Sequence, residues 1–417
     1  MTIRDYYSIL AHIRSIIKDT EFEGHVFSVG GCERDRHLGR EIKDIDLVLD
    51  IENGGIKFAN WLQTNNYTKG SVVIFERFGT AMFHLAQFPE YELEAVQTRR
   101  ENYSDKNNRK PETSYGTIQE DCKRRDFTIN ALYHNISTNE DLDLTGLGLK
   151  DIDDELIRTC GEPDIIFNDD PLRILRAIRF ATQLKFGIDE DTQNGMKKNS
   201  HRLSIISKER IQSELNKILE SEKPYYGFWT MDFLNITNYV FKNISSEALW
   251  AFTGKLIKVH DLDDYNGDRI VLSFVLLAEV IGLYNLTDML HDLKYPNKTI
   301  DSVERYYWLL DNYRLFGNSF TKQIAHKLEY ECGDEETYNN IVSILKLDNI
   351  SVLRTRKLMC GYKLPINGND IMNYMGVKEG KDIKIYLSKY LNLAFKRPGI
   401  TRFELILRML LYWRFKL

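Results

Sequence analysis

The sequence predicts an α+β protein, with a sheet in the N-terminal region and helices in the remainder. Between residue 20 and about residue 145, short β-rich runs alternate with turns, which is typical of a small α/β domain with a mixed or antiparallel sheet. From about residue 150 onward, the apolar residues recur at helical spacing. The 417 residues contain only eight prolines and are 43% hydrophobic, so the chain can form long helices and bury cores in two to four domains.

The β-rich runs predict six strands, at residues 26–29, 45–49, 71–75, 81–85, 93–96 and 131–135. Residues 1–19 precede these strands and are predicted to form an amphipathic helix. The polar stretch between Tyr103 and Gly116 contains one proline and shows no periodicity, which predicts a mobile loop.

The cysteines and the apolar runs indicate a cytoplasmic protein. The five cysteines stand at positions 32, 122, 160, 332 and 360 without a CxxC pair, so we expect reduced thiols. The first 19 residues are too charged for a signal peptide. The most apolar run, residues 270–278, is far shorter than the ~20 residues that span a bilayer, so we expect no membrane segment.

The charge is distributed unevenly along the chain. The net charge of −5 by itself argues against a nucleic-acid partner. Residues 361–417, however, contain eleven Lys/Arg and four Asp/Glu, a balance of +7 that leaves −12 for residues 1–360. A basic end on an acidic body could bind a phosphate backbone. A solubilising helical face would explain the same charges equally well.

Residues 26–50 contain the most informative pattern. The first β-rich run ends in Gly30-Gly31, and the second carries Asp44 and Asp46. Side chains two residues apart in a strand point to the same face, so the two carboxylates repel unless a divalent cation neutralises them. Oxygen ligands favour Mg²⁺, and a diglycine lets backbone N–H groups approach phosphates. The pattern predicts a nucleoside triphosphate site, although two acids on an edge strand are usually only a solvated face.

The same stretch resembles the first motif of a known enzyme family. The residues that carry the resemblance are Gly30, Gly31, Arg34, Asp35, Leu38, Gly39, Lys43, Asp44 and Asp46. They are similar to the motif of the class II CCA-adding tRNA nucleotidyltransferase and bacterial poly(A) polymerase family, in the polymerase-β superfamily. The resemblance implies a polymerase-β-like head, with metal ligands at Asp44 and Asp46 and nucleotide contacts at Gly30, Gly31, Arg34 and Lys43. The chain departs from the family at Glu33 and His37, where apolar residues are usual, which affects the expected packing and not the metal ligands.

The run from Glu92 to Arg99 also resembles the family, in which a strand carries a further acid and an arginine. Alternation along a strand puts Glu92 and Glu94 on one face, so either could be a third active-site carboxylate. The spacing to Arg99 favours Glu94 as the catalytic residue. Surface polarity on an edge strand would explain the same pattern.

Residues 123–132, KRRDFTINAL, are similar to the second motif of the family, which lies near the ribose and triphosphate. Arg124 and Arg125 supply the cations that phosphates require. Asp126 and Asn130 can form hydrogen bonds with ribose hydroxyls. The resemblance implies that all four residues bind the nucleotide.

Residues 169–180 predict a helix that begins near Asp170, and two interpretations of Asp170 remain open. Asp170 followed by Pro171 is a good helix N-cap, which explains it without a function. In the family, an Asp and an Arg three residues later read the base of the incoming nucleotide. Asp170 and Arg173 would present an acceptor beside a fork of donors, which suits cytosine and adenine and rejects uracil and guanine. Arg176 and Arg179 on the same helix are assigned to the nucleotide site as well.

The resemblance implies four domains. They are a nucleotidyltransferase catalytic head at 1–150, a helical neck with the nucleotide-selecting helix at 151–222, a helical body at 223–360, and a basic helical tail that binds tRNA at 361–417. The implied reaction is template-independent transfer of CMP and AMP from CTP and ATP to the 3′ end of tRNA, with release of pyrophosphate and with two Mg²⁺ ions. Neither a membrane nor an obligate protein partner is expected.

Four alternatives remain open. A poly(A) polymerase of the same family shares every motif above, and a partial CC- or A-adding enzyme would also share them. A toxin or defence nucleotidyltransferase that modifies tRNA ends is a further possibility. A non-catalytic RNA-binding relative is disfavoured by the intact pair Asp44 and Asp46.

Overall fold

The computed structural model describes residues 1–76, 79–102, 112–260, 268–316 and 366–375, and scattered positions between 383 and 408. The chain divides into two compact units, Met1–Leu249 and Trp250–Leu417. The finer division into head, neck, body and tail stays a prediction. Most of the basic tail lies outside the described residues, as does most of the stretch between Tyr103 and Gly116.

The described part of the first unit contains a mixed sheet and two short strand pairs. The strands are β1 (Val26–Val29), β2 (Ile45–Leu49), β3 (Val73–Phe75), β4 (Thr80–Leu85), β5 (Phe88–Gln97), β6 (Arg99–Asn102), β7 (Glu112–Tyr115), β8 (Leu132–Asn135), β9 (Glu140–Asp143), β10 (Leu156–Ile157) and β11 (Gly187–Ile188). The main sheet has seven strands in the order β3-β4-β5-β2-β1-β8-β9. Its neighbours are antiparallel except β2 and β5, which run parallel, so the mixed sheet predicted from the sequence is confirmed.

The helices before residue 245 are α1 (Ile3–Ile17), α2 (Gly31–His37), α3 (Gly54–Thr64), α4 (Ile118–Arg124), α5 (Gly148–Asp153), α6 (Pro163–Asp169), α7 (Leu172–Leu184), α8 (Glu190–Asn199), α9 (Lys208–Leu219), α10 (Pro224–Phe233) and α11 (Thr237–Val240). The first of them confirms the predicted N-terminal helix. A capping box between Thr2 and Asp5 fixes where it begins.

The later helices are α12 (Ser246–His260), α13 (Arg269–Ile281), α14 (Leu283–Asp292), α15 (Asn297–Phe316) and α16 (Gly368–Met375). In the second unit, α13 is buried along most of its length and packs against α14 and α15. None of the helices in the described ranges combines the length and the apolar character that a membrane span requires.

The six predicted strands are all present, and β1 and β2 have the predicted bounds. Strand β7 lies at the end of the stretch that was predicted to be a loop, where it pairs with β6. The short strands β10 and β11 also differ from the prediction, because they interrupt a region that was expected to be wholly helical. They pair in parallel, with Leu156 opposite Gly187 and Ile157 opposite Ile188. Strands of two residues are too short to show a periodicity in the sequence.

One face of the main sheet is covered by α1 and α3. Fully buried side chains from both helices, among them Tyr6 and Phe58, pack against strands β1, β2, β4 and β5. The close approach of α3 to β5 requires Gly55, since a Cβ at this position would lie 2.4 Å from the carbonyl oxygen of Ala95. This packing fixes β2 and β5, the two strands that carry the predicted catalytic acids.

Candidate active site

The structure brings the three predicted catalytic carboxylates together. Asp46 on β2 is the register partner of Glu94 on β5, and Asp44 lies just before β2. Ile45 and Leu47 are buried while Asp44 and Asp46 are exposed, as the alternation of a strand predicts. Both strands lie in the interior of the sheet order, so the alternative of a solvated edge strand is wrong. The catalytic roles of the three acids stay predictions.

The carboxylates make each other harder to ionise. Partial loss of hydration and repulsion by Glu94 and Asp44 together raise the pKa of Asp46 to about 6, against the attraction of Arg125. Burial also raises the pKa of Glu94, against the effect of Arg99. A cation would relieve both effects. Because hard oxygen ligands suit Mg²⁺, Asp44 and Asp46, with Glu94 beside them, fit a divalent metal site.

The diglycine turn lies next to these acids. Gly30 has φ +87° and precedes α2. A Cβ on Gly30 would lie 3.6 Å from Oδ2 of Asp46 and 3.8 Å from Nη1 of Arg125. Gly31 begins α2, and a Cβ there would lie 3.7 Å from Nη2 of Arg34. The turn therefore places its backbone between a carboxylate and two guanidinium groups, where the sequence predicted the phosphates.

A buried carboxylate that the sequence analysis missed holds Arg124 and Arg125. Asp121 on α4 is fully buried. Its Oδ1 accepts a hydrogen bond from Nε of Arg124 at 3.0 Å, and its Oδ2 accepts from Nε of Arg125 at 3.1 Å. Tyr133 donates its hydroxyl to the same Oδ2 at 2.9 Å. The spacing of three and four residues on one helix was the signal that could have revealed Asp121.

The other residues of the second motif also have defined partners. Nη1 of Arg34 donates to Oδ1 of Asn130 at 2.8 Å. Asp126 accepts from Nε of Arg176 at 2.8 Å, which ties the motif to α7. Burial would raise the pKa of Asp126, but Arg176 outweighs it and lowers the pKa to about 2. Lys43 is exposed directly before Asp44.

The structure supports the helix-cap interpretation of Asp170 and leaves base reading as a prediction. Helix α7 spans Leu172–Leu184, and Pro171 before it already has helical backbone angles, while Asp170 is extended. Oδ1 of Asp170 accepts from the N–H of Leu172 at 3.1 Å. Nη2 of Arg173 donates to the carbonyl of Arg124 at 2.7 Å, so the structure brings Arg173 to the second motif.

Arg179 is held by the protein itself. Its Nε donates to Glu214 on α9 at 2.6 Å, and its Nη1 donates to Gln183 at 3.1 Å. The guanidinium carbon also lies 4.0 Å from the centre of the Phe180 ring. These contacts join α7 to α9, and the nucleotide contact of Arg179 stays a prediction.

The departures from the family motif at Glu33 and His37 form a polar cluster with Asp141. Their ligand atoms lie within 4.8 Å of one another, a spacing that could hold a metal ion. Nη2 of Arg36, however, lies 2.7 Å from Glu33, 2.6 Å from Asp141 and 3.0 Å from Nε2 of His37. The guanidinium already supplies the positive charge at the centre of this cluster, so the cluster does not replace Asp44 and Asp46 as the expected metal site.

Two family models match the chain. The model of the Poly A polymerase head domain matches residues 26–158. A second model, described as the probable RNA and SrmB-binding site of polymerase A, matches residues 185–247. The first match contains the main sheet and the second contains α8 to α11.

A curated relative matches over nearly the whole length. The CCA-adding enzyme of Ligilactobacillus salivarius is 30% identical over 407 residues, which are 93% of this chain and 92% of that enzyme. The chain belongs to the CCA-adding enzyme and poly(A) polymerase family. A tRNA nucleotidyltransferase of Schizosaccharomyces pombe is 36% identical over 210 residues, 48% of this chain and 42% of that protein. The resemblance seen in the motifs is therefore confirmed.

Solved structures of the family share the fold. The crystal structure of the Bacillus stearothermophilus CCA-adding enzyme in complex with CTP has a TM-score of 0.72 at 19% identity, over 98% of both chains. The Thermotoga maritima CCA-adding enzyme complexed with tRNA has a TM-score of 0.62 at 21% identity, over 98% of this chain and 94% of that one. The predicted α+β fold, with a mixed sheet in the N-terminal head and helices after it, is confirmed.

Membership of the CCA-adding enzyme and poly(A) polymerase family makes the chain a nucleotidyltransferase involved in tRNA processing, as the sequence predicted. The assignment of particular residues to metal and nucleotide stays a prediction.

Proposed function

We propose that this chain is a CCA-adding enzyme, which transfers CMP and AMP from CTP and ATP to the 3′ end of tRNA without a nucleic-acid template. The observation that carries the proposal is the match to the L. salivarius CCA-adding enzyme over 93% of the chain. A poly(A) polymerase would have the same head motifs. The near-complete alignment with a CCA-adding enzyme favours CCA addition, because it extends over the helical remainder, where acceptor binding is expected.

The carboxylates of β2 and β5 form the proposed reaction centre. Asp44 and Asp46 would hold two Mg²⁺ ions, with Glu94 as a third carboxylate next to them. When bound, the ions make the terminal ribose hydroxyl more acidic and stabilise the departing pyrophosphate. The adjacent Gly30 turn and Arg125 would hold the triphosphate, since Nη1 of Arg125 faces the turn.

Base choice is assigned to Asp170 and Arg173. Cytosine and adenine offer an amino donor next to a ring nitrogen acceptor, whereas uracil and guanine offer a carbonyl and an N–H. A carboxylate beside a guanidinium therefore pairs with the first two bases and leaves buried polar groups unsatisfied with the others. Nη2 of Arg173 donates to the Arg124 carbonyl at 2.7 Å, so base reading would use its other N–H groups or replace this hydrogen bond.

The four-domain division is proposed together with this activity. The head at 1–150 contains the acids and the phosphate contacts, and the neck at 151–222 contains the base-reading pair. The body at 223–360 and the basic tail at 361–417 are assigned to the tRNA.

The decisive experiment measures product lengths on a tRNA that lacks CCA. CTP and ATP are supplied singly and together, with Mg²⁺ or with EDTA. We expect growth by C, C and A and then a stop, no growth in EDTA, and no reaction with unstructured RNA. Long A-tails would establish a poly(A) polymerase, while addition that stops at CC, or that needs a CC end, would establish a partial enzyme.

Two further outcomes would also contradict the proposal. Modification of intact tRNA that already ends in CCA would indicate a toxin or defence enzyme. Binding of tRNA without any incorporation would indicate a non-catalytic relative.

A further inference from the structure

The carboxylate of Asp170 has a second partner, on a different helix. Nη2 of Arg210, in the first turn of α9, donates to Oδ2 of Asp170 at 2.8 Å. We propose that Arg210 is a positioning residue for base selection, which acts by fixing the orientation of the Asp170 carboxylate. This inference rests on the proposed role of Asp170 in reading the base.

The two oxygens of Asp170 have separate tasks. Oδ1 accepts from the N–H of Leu172 and caps α7, while Oδ2 accepts from Arg210. A carboxylate oxygen has two lone pairs, so Oδ2 can accept a second hydrogen bond from the amino group of a base. The side chain of Asp170 is 27% exposed, so the carboxylate is partly accessible to a ligand.

Arg210 is placed by a helix that is itself fixed against α7. Ile211 and Leu215 of α9 are buried, and Glu214 forms the 2.6 Å ion pair with Arg179. Arg210 is therefore held on a packed element, although its own side chain is 51% exposed. A packed helix that supports a polar side chain restricts the side chain more than a loop would.

The orientation of Asp170 needs more than the helix cap. The terminal torsion of an aspartate is broad, so one hydrogen bond to Oδ1 leaves rotation of the carboxylate plane. Arg210 supplies the second constraint and sets the direction in which the free lone pair of Oδ2 points. Loss of Arg210 should then weaken recognition of an amino group and change little for a base that has none at that position.

The test is steady-state kinetics on tRNA lacking CCA, with CTP and UTP supplied separately. In Arg210→Ala we expect kcat/KM for CTP to fall about 3- to 10-fold, in line with a partly exposed charged hydrogen bond, and kcat/KM for UTP to change little. Arg210→Lys retains a donor and should recover part of the CTP:UTP ratio. Glu209→Ala, an exposed neighbour on the same turn, serves as the control.

A purely structural role predicts a different result. If Arg210 only braces two helices, CTP and UTP should lose activity by the same factor and the melting temperature should fall. Equal losses in Arg210→Ala, or an unchanged ratio, would overturn the inference. The melting temperatures of all variants should agree with the wild type, because half of the Arg210 side chain is exposed and an ion pair of this kind contributes little to stability.

A double-mutant cycle separates this inference from the function on which it rests. Asp170→Asn keeps the cap, since Asn caps about as well as Asp, but loses the charged acceptor. In that background Arg210→Ala should have no further effect on the CTP:UTP ratio, because the two residues act as one unit. If Asp170→Asn alone leaves the ratio unchanged, base reading by Asp170 is wrong. If Asp170→Asn lowers the ratio and Arg210→Ala does not, only the role of Arg210 is wrong.

Discussion

Asp46 and Glu94 lie opposite each other on the parallel strands β2 and β5. Residues in register on neighbouring strands point to the same face, so the two carboxylates share one environment. The negative charges of the two carboxylates repel each other. Arg125 is the nearby cation that offsets part of this repulsion. Ionisation of both carboxylates is therefore unfavourable in the metal-free protein. Binding of a metal ion would make it favourable.

The first prediction concerns the stability cost of Asp46. Its pKa is raised from 3.8 to about 6, so the folded protein holds the proton more tightly than the unfolded chain. The contribution of protonated Asp46 to the free energy of unfolding is therefore complete below pH 3.8 and is lost as the pH rises through 6. Without metal, Asp46→Asn should melt at a higher temperature than the wild type at pH 8, and the difference should shrink towards pH 4. Thermal melts at both pH values provide the measurement.

The same variant should lose its chemistry. We expect incorporation by Asp46→Asn to fall at least about 100-fold, the range seen when a central electrostatic group is removed. Added Mg²⁺ should raise the melting temperature of the wild type more than that of the variant. Equal melting temperatures at both pH values, together with near-normal turnover, would remove Asp46 from the site.

The second prediction concerns Asp126, whose pKa moves in the opposite direction. It is lowered from 3.8 to about 2, so its contribution to stability is present above pH 3.8 and is lost as the pH falls through 2. Asp126→Asn should lower the free energy of unfolding at pH 7 by about 2 kcal/mol. The difference should disappear near pH 2, as measured by denaturant titration.

A surface carboxylate provides the control for Asp126. Asp164 is also paired with a cation, Lys198, but that lysine is 71% exposed. Asp164→Asn should change the free energy of unfolding by less than about 1 kcal/mol. Equal effects of the two substitutions would mean that the pair of buried Asp126 and partly exposed Arg176 contributes no more than a surface pair.

The site was predictable where its signals are local. Three signals each occupy a short stretch of sequence, and the structure brings them next to one another. They are the diglycine, the alternation at Asp44 and Asp46, and the second motif. Alternation along the strand left Glu92 and Glu94 as candidates for the third carboxylate, and the spacing to Arg99 favoured Glu94. The strand register then places it beside Asp46.

The remaining parts of the site depend on contacts between distant residues. Arg210 and Asp170 are 40 positions apart, and Arg36 and Asp141 are 105 apart. No periodicity or spacing connects such pairs, because the packing of separate elements decides which side chains meet. The short strands β10 and β11 were missed for the same reason. Each is a strand only because it pairs with the other, and its own two residues give no sequence signal.

The third prediction concerns Glu33, where the chain departs from the family. Glu33 is fully buried, and it accepts hydrogen bonds from Tyr6 and Ser28 on one oxygen and from Arg36 on the other. Glu33→Val restores an apolar residue but leaves these donors without their acceptor. We expect it to lower the free energy of unfolding by about 3 kcal/mol, the range for breaking a buried charged pair from one side.

The matched control is the second departure, His37. Its side chain is 22% exposed, so His37→Leu should cost less than about 1 kcal/mol. Glu33→Gln keeps the shape of the side chain and part of its hydrogen bonding. Its loss in free energy of unfolding should lie between those of Glu33→Val and His37→Leu. A neutral effect of Glu33→Val in denaturant titrations would mean that the apolar family residue fits this core without the other changes.

The last prediction concerns the basic tail, and it rests on charge alone because the lysines involved lie outside the described residues. If residues 361–417 contact the tRNA backbone, Lys378→Glu, Lys381→Glu and Lys384→Glu combined should weaken tRNA binding. Each lost phosphate contact should reduce the slope of log affinity against log salt by at most about 0.9. The matched control reverses three exposed lysines of the head, Lys18, Lys57 and Lys69. Salt titrations that give the same slope for the tail variant and the wild type would assign the tail charges to solubility.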